Sequence, residues 1–349
     1  MKLTILSAAL LSASCSFLSA ACSGALAGSR DAMCWTPAEL RGTPNDWKPV
    51  KGTPAAFRRP PLRALAPLAP VDPRLRGVIR GVRLPPNEKI IALTFDLCEE
   101  PYEVSGYDSR IIDYLRDEGV EATFFAGGKW LLTHDVRGQQ LLSDPLFEVG
   151  NHTWEHRNLR IVSEPVLKSE IENAEAAYEE VRQNFEGRRC KTGAPDGSAL
   201  SRPPERMSLF RFPFGACDER SLNAVNDAGL LAIQWTFASG DPAPLQSSEK
   251  MVKAVLSRVR PGAILIFHAN GRGWHTAEAL REIIPRLKEM GYKFRTVSEL
   301  LKLAPDKIEK AATCYDNKPG DSDRYDALAA KLELQYQKFE KQIKAQPRG

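Results

Sequence analysis

Apolar, β-branched and aromatic residues gather into seven short runs: IIALTFD (90–96), ATFFA (122–126), FEVGNH (147–152), LFRFP (209–213), LLAIQWT (230–236), AILIFH (263–268) and KFRTV (293–297). Each has the length of a strand, and several are apolar apart from one or two positions, the pattern of strands buried on both faces. Helical patterns separate most of them. Residues 109–118 put Ile111, Ile112 and Leu115 on one face, and 163–186 open with Ser163 and Pro165, a cap and a first turn. Residues 219–229, 247–260 and 276–290 supply three more. Strands alternating with helices predict a parallel α/β sheet, open or closed into a barrel.

The flanks read differently. Residues 28–88 are rich in Pro and Arg and lack an element's periodicity, which predicts an arm wrapped over the domain or a disordered linker. The polar, Gly/Pro-rich stretch 186–208 predicts an inserted surface loop holding Cys190. The α/β domain is therefore expected over 89–305, followed by a tail over 306–349. Within that tail Tyr325, Leu328, Leu332, Tyr336, Phe339 and Ile343 recur at spacings of three and four. They predict an amphipathic helix that packs on its own domain or on a partner.

Residues 1–27 read as a secretory signal peptide. Lys2 is the one charge before Arg30, and Ala25-Leu26-Ala27 offers small residues for cleavage. The expectation is an exported chain, periplasmic or secreted, with an uncleaved membrane anchor as the alternative. A lipoprotein signal at Cys22 fits less well, because Ser19 stands where Leu is expected. No second membrane span is expected, since no other apolar run is long enough. The net charge of +4 is mild and the basic residues are scattered, which argues against a nucleic-acid partner. Cys34, Cys98, Cys190, Cys217 and Cys314 remain after the leader. An exported chain tolerates disulfides, and five leaves one odd thiol.

Candidate chemistry gathers at strand ends. His152 and His156 in NHTWEH are spaced i, i+4, which on a helical turn lets two imidazoles share a metal; two surface histidines are the plainer reading. His268 ends AILIFH, Asp96 ends IIALTFD, Arg211 lies in LFRFPFG, and Asp241 follows IQWTFASG. In a parallel α/β barrel the C-terminal strand ends form one rim, where catalytic groups collect. The full set points to a metal-assisted hydrolase.

In these motifs the sequence resembles the polysaccharide deacetylase family, which includes the rhizobial nodulation chitooligosaccharide deacetylases. TFD, HTWEH, RFPFG, Trp235-x5-Asp241 and LIFH occur in the family's order and spacing over roughly residues 88–300. The resemblance implies an irregular, TIM-barrel-like (β/α)7 barrel. It also implies removal of N- or O-acetyl groups from an acetylated glycan with one divalent metal, commonly zinc. By the same resemblance Asp96 matches the base that takes a proton from the attacking water, and Arg211 its partner. His152 and His156 match metal ligands, and the Phe214 N–H matches an oxyanion donor. His268 matches the acid that protonates the leaving amine, and Asp241 the carboxylate that raises its pKa. Trp235, Leu265 and Phe267 are expected as walls of an acetyl pocket or as core beneath it.

One position departs from the family. A second Asp, the third metal ligand, usually follows the base; here it is Leu97, which cannot ligate. Glu99 is the first candidate to replace it, with Asp108, or water beside two histidines, as alternatives. A metal-free glycan-binding pseudoenzyme is a further reading, as is an O-acetyl esterase or deformylase on a related sugar. Cys98 offers either a soft zinc ligand or a disulfide. The disulfide is expected with Cys217, because the RFPFG loop should adjoin the Asp96 loop.

Overall fold

A computed structural model describes residues 34–52, 58–61, 65–188, 203–314 and 321–345. The expected signal peptide, Cys190 and most of the 186–208 insert lie outside them. Among the described residues one large sheet carries the molecule. Its strands in chain order are β1 (Val78–Val82), β2 (Ile90–Leu97), β3 (Ala122–Ala126), β4 (Phe147–Asn151), β5 (Leu209–Phe210), β6 (Leu231–Ile233), β7 (Phe237–Ala238), β8 (Ile264–His268), β9 (Lys293–Phe294) and β10 (Ile308–Ala311). The spatial order is β10-β1-β6-β5-β4-β3-β2-β8-β7, with β9 beside the start of β2. Every pairing is parallel except β10 with β1. The sheet curls into a partial barrel, and a lone antiparallel bridge from Gly81 to Ala263 brings β1 towards the start of β8.

All seven strand runs of the sequence reading appear as strands, some of them trimmed. The Pro/Arg-rich arm is not only a wrapping: its segment Val78–Val82 is a sheet strand between β6 and β10. A Val-Ile-Arg-Gly-Val run among prolines and arginines is too short to announce itself by periodicity, and its partners supply the hydrogen bonds that make it a strand.

Helices cover the outer face. They are α1 (Ser109–Asp117), α2 (Gly128–Thr133), α3 (Asp135–Ser143), α4 (Glu164–Glu186), α5 (Glu219–Asp227), α6 (Ser248–Arg258), α7 (Thr276–Glu289), α8 (Val297–Leu303) and α9 (Asp321–Ala345). Several start where the sequence provides a cap. Asp218 with Ser221 closes a capping box on α5, Thr296 with Glu299 does so on α8, and Ser247 accepts from Lys250 N on α6.

Strand alternation sorts the core into layers. Leu93, Phe95 and Leu97 of β2 join Phe124, Leu265 and Phe267 under the helices, with Phe95 stacked on Phe124 and Phe267. Ala92 of β2 faces inward with Phe125, Leu209, Ile233 and Ile264. Leu265 and Phe267 are therefore core, not pocket wall. The inward face turns polar towards the C-terminal strand ends, where Thr94 and Asp96 follow Ala92.

The C-terminal helix α9 packs back on its own domain. Tyr336 and Phe339 are buried, the Tyr336 hydroxyl donates to the Glu155 carbonyl at 2.9 Å, and Phe339 meets Tyr102 edge-on. Arg157, two residues beyond Glu155, pairs with Glu333 and Glu340 of the same helix.

No helix among the described residues is long and apolar enough to cross a membrane.

Candidate metal and acid–base site

Six of the residues singled out in the sequence meet at the C-terminal end of the sheet. β2 and β8 run parallel with His268 in register with Asp96. The backbone continues the ladder beyond the strands: Ala269 N donates to Asp96 O, His152 N to Ala126 O and Arg211 N to Asn151 O. These bonds fix the starting points of the functional side chains before any side-chain contact is made.

Asp96 and Arg211 form a buried ion pair. Arg211 Nη1 donates to Asp96 Oδ1 and to Thr94 Oγ1, both at 2.8 Å, and Nη2 donates to the Gln234 carbonyl. The guanidinium also lies 4.0 Å from the Phe125 ring centre. A buried charge is costly unless such partners surround it, and here each side of the group has one. Burial works to raise the Asp96 pKa, but the positive charge of Arg211, with a smaller contribution from His268, outweighs it. The carboxyl is held below its ordinary range and stays ionised.

His268 is poised the other way. Its Nδ1 lies 3.0 Å from Asp241 Oδ1, and its backbone N–H donates to Asp241 Oδ2 at 2.7 Å. Asp241 is fully buried and also accepts from the Ser239 and Thr276 hydroxyls. Gly273 lets the chain pass behind this pair: a Cβ there would stand 2.4 Å from the His268 carbonyl oxygen and 2.9 Å from Asp241 Oδ2. Burial pulls the imidazole pKa down, while the charge and hydrogen bond of Asp241, aided by Asp96, overcome it. The net pKa is raised.

The two remaining histidines face each other with ring centres 5.0 Å apart. The i, i+4 spacing does not place them on a helical turn, as the sequence reading supposed. They sit in an irregular loop after β4 that turns through positive φ at Thr153 and His156. His152 Nδ1 sits 2.8 Å from the Arg211 carbonyl, which fixes the proton on that nitrogen and leaves Nε2 as a lone-pair donor. His152 Nε2 and His156 Nδ1 are buried and lack a hydrogen-bond partner. Burial lowers both imidazole pKa values, keeping the rings neutral, the form that binds a metal. Orphaned buried donor atoms on neutral imidazoles fit a divalent cation.

The expected third ligand is placed elsewhere. Glu99 is buried, but its carboxylate accepts from Ser105 N at 3.0 Å and Thr133 Oγ1 at 2.9 Å, and lies 3.6 Å from Lys129 Nζ. Burial pushes its pKa up to about 7. Asp108 is held by Arg110 through two hydrogen bonds of 2.9 and 2.7 Å at the start of α1. Instead Cys98 Sγ lies with donor atoms of His152 and His156, all within 4.8 Å of one another. The expected Cys98–Cys217 disulfide is also corrected: Cys98 is a free, buried thiol, and Cys217 is bonded to Cys314. Cys34 is disulfide-bonded too. Cys98 is the first residue past β2, where Leu97 turns into the outer core and the chain leaves the strand towards the two histidines.

Other features frame the rim. Phe214 adopts φ 58° and its ring centre lies 4.6 Å from that of His156. Gly215, which follows with φ +62°, packs so closely on Trp235 that a Cβ would stand 2.5 Å from the indole. His134 stacks on Trp130 and is partly buried, and desolvation pushes its pKa down to about 4.

Comparison with known proteins gives the chain's family. The profile of the polysaccharide deacetylase family matches residues 83–233. A peptidoglycan-N-acetylglucosamine deacetylase of Bacillus cereus is 30% identical over 223 residues, covering 63% of this chain and 91% of the relative. A chitooligosaccharide deacetylase of Azorhizobium caulinodans is 26% identical over 227 residues, covering 61% and 95%. Among solved structures, a CE4-family pseudoenzyme from Bacillus anthracis shares the fold, with a TM-score of 0.51, 24% identity and coverage of 68% of this chain and 70% of that one. In motifs, in fold and in sequence over nearly the whole length of its relatives, the chain belongs to the polysaccharide deacetylase family.

Proposed function

We propose that this protein is an exported, metal-dependent hydrolase that removes N-acetyl groups from a glycan of the chitooligosaccharide or peptidoglycan type. The observation that carries the reading is the opposed tuning of two register partners: Asp96 pushed towards its anion by Arg211, and His268 pushed towards its cation by Asp241. Two titratable groups pushed apart in this way suit a base and an acid working in one site.

His152 and His156 would hold the metal, zinc being the first choice for imidazole donors. When bound, a divalent cation supplies Lewis acidity at the acetyl carbonyl and lowers the pKa of a nearby water. The Asp96 carboxylate takes the proton of the attacking water, and Arg211 holds it ionised and aligned. The Phe214 backbone N–H, presented on its left-handed turn, donates to the oxyanion. The His268 cation gives its proton to the leaving sugar amine, and Asp241 keeps that proton in place until then.

The test is acetate release from chitooligosaccharides and peptidoglycan fragments, stopped by a chelator and restored by zinc. No release from any acetylated glycan under any divalent metal ends the proposal. One observation favours a second reading. Leu97 stands where the family has a metal-binding Asp, so a metal-free glycan-binding pseudoenzyme is the alternative, and it predicts glycan binding without stoichiometric metal. O-deacetylation or deformylation uses the same groups and differs in the acyl substrate that gives turnover.

A further inference from the structure

We propose that the metal centre is a His2Cys site in which the Cys98 thiolate takes the place of the family's second aspartate. The inference rests on the metal-dependent reading above and specifies the donor set of that site. Leu97, the last residue of β2, is fully buried in the outer core, and Cys98 follows it just past the strand end. Sγ then lies within 4.8 Å of donor atoms of both imidazoles. His152 Nε2, on a side chain 1% exposed, has no hydrogen-bond partner and lies 3.6 Å from Asp96 Oδ2.

Burial pushes the Cys98 thiol pKa up to about 12, so the thiolate forms together with the metal bond. One neighbour positions the residue. Asn270, just beyond β8, donates through Nδ2 to the Cys98 carbonyl at 2.7 Å and to Sγ at 3.1 Å. One amide thus pins the backbone and directs a donor at the sulfur, the arrangement by which groups next to a metal ligand orient it. The thiol is also free of the one fate that would remove it, since Cys217 is committed to Cys314. The acids that compete for the role are engaged: Glu99 with Lys129 and Thr133, Asp108 with Arg110, Asp96 with Arg211.

Exchanging a carboxylate for a thiolate changes which metal is held. Two imidazoles and a sulfur favour zinc, cobalt or cadmium over magnesium or manganese, which prefer oxygen. On binding, the S–H bond breaks, the metal–sulfur bond forms and the proton leaves to the buffer.

The test is cobalt titration of the metal-stripped, purified full chain, read by absorbance, with metal content measured in parallel. One equivalent of Co(II) should bind and give a near-ultraviolet sulfur-to-cobalt charge-transfer band. Cys98→Ser should lose that band and bind zinc at least about 10-fold more weakly, the lower bound for changes even one shell further out. Cys98→Asp should keep one equivalent of cobalt through oxygen, without the band, and so controls for folding. One equivalent of cobalt in the unaltered protein with no such band overturns the thiolate ligand and leaves the metal-dependent reading standing. No stoichiometric binding of cobalt or zinc overturns both.

Discussion

His268 stands in register with Asp96 across two adjacent parallel strands, so backbone pairing alone sets the separation of the proposed acid and base. Arg211, just past β5, reaches the base, and Asp241, from the loop after β7, reaches the acid. Each partner pushes its target in the direction the reaction requires. The pH profile is therefore the natural place to look for their effects.

Asp241→Asn should move the basic limb of kcat/KM. Activity needs His268 protonated, and its raised pKa keeps it so up to a pH above the ordinary imidazole value. Removing the carboxylate's charge lowers that pKa, so the limb should shift to lower pH and the neutral-pH rate should fall. A pH–rate profile of the variant checks this; an unmoved basic limb excludes His268 as the titrating acid.

Arg211→Met should act on the other limb. Burial alone raises the Asp96 pKa, and the arginine is the largest influence opposing it. Without that charge the carboxyl protonates at higher pH, so the acidic limb should move up. Thermal unfolding should show a loss of about 3–5 kcal/mol, because a buried carboxylate is left without its partner. Arg211→Lys should restore part of both.

Glu99→Gln separates structure from ligation. The Glu99 carboxylate lies beside the buried Lys129 and is not among the donor atoms around His152 and His156. Metal stoichiometry should stay unchanged, whereas stability should fall by about 1–3 kcal/mol through loss of a charged hydrogen-bonding group. Metal loss on this substitution would show that the Glu99 carboxylate binds the metal after all.

Reduction of the Cys217–Cys314 bond should lower stability without abolishing metal binding. The bond ties the loop after RFPFG to the segment that follows β10, across a sequence separation of 97. Disulfides of small exported domains contribute about 2–5 kcal/mol. Differential scanning calorimetry of Cys314→Ser against the parent measures the contribution here.

Much of this was legible in the sequence because strand ends carry their own marks. Asp96, Arg211 and His268 each interrupt an apolar run, and a parallel sheet gathers such interruptions on one rim. What escaped had physical reasons. Val78–Val82 owes its strand to neighbours far along the chain, and the partner of Cys217 lies 97 residues away. The i, i+4 histidines suggested a helix, but the chain takes positive φ at Thr153 and His156 and reaches the same convergence in a loop. Cys98 was read as a soft zinc ligand or a disulfide partner of Cys217, and the pairing of Cys217 with distant Cys314 removes the second option.

The central claim is that Asp96 serves as the base of a metal-dependent deacetylation. The most direct measurement is the acetate-release rate of Asp96→Asn on a chitooligosaccharide or peptidoglycan fragment, with zinc content measured on the same sample. The account predicts a fall of about 10²–10⁴-fold with zinc unchanged. A near-parental rate at equal zinc content would contradict it.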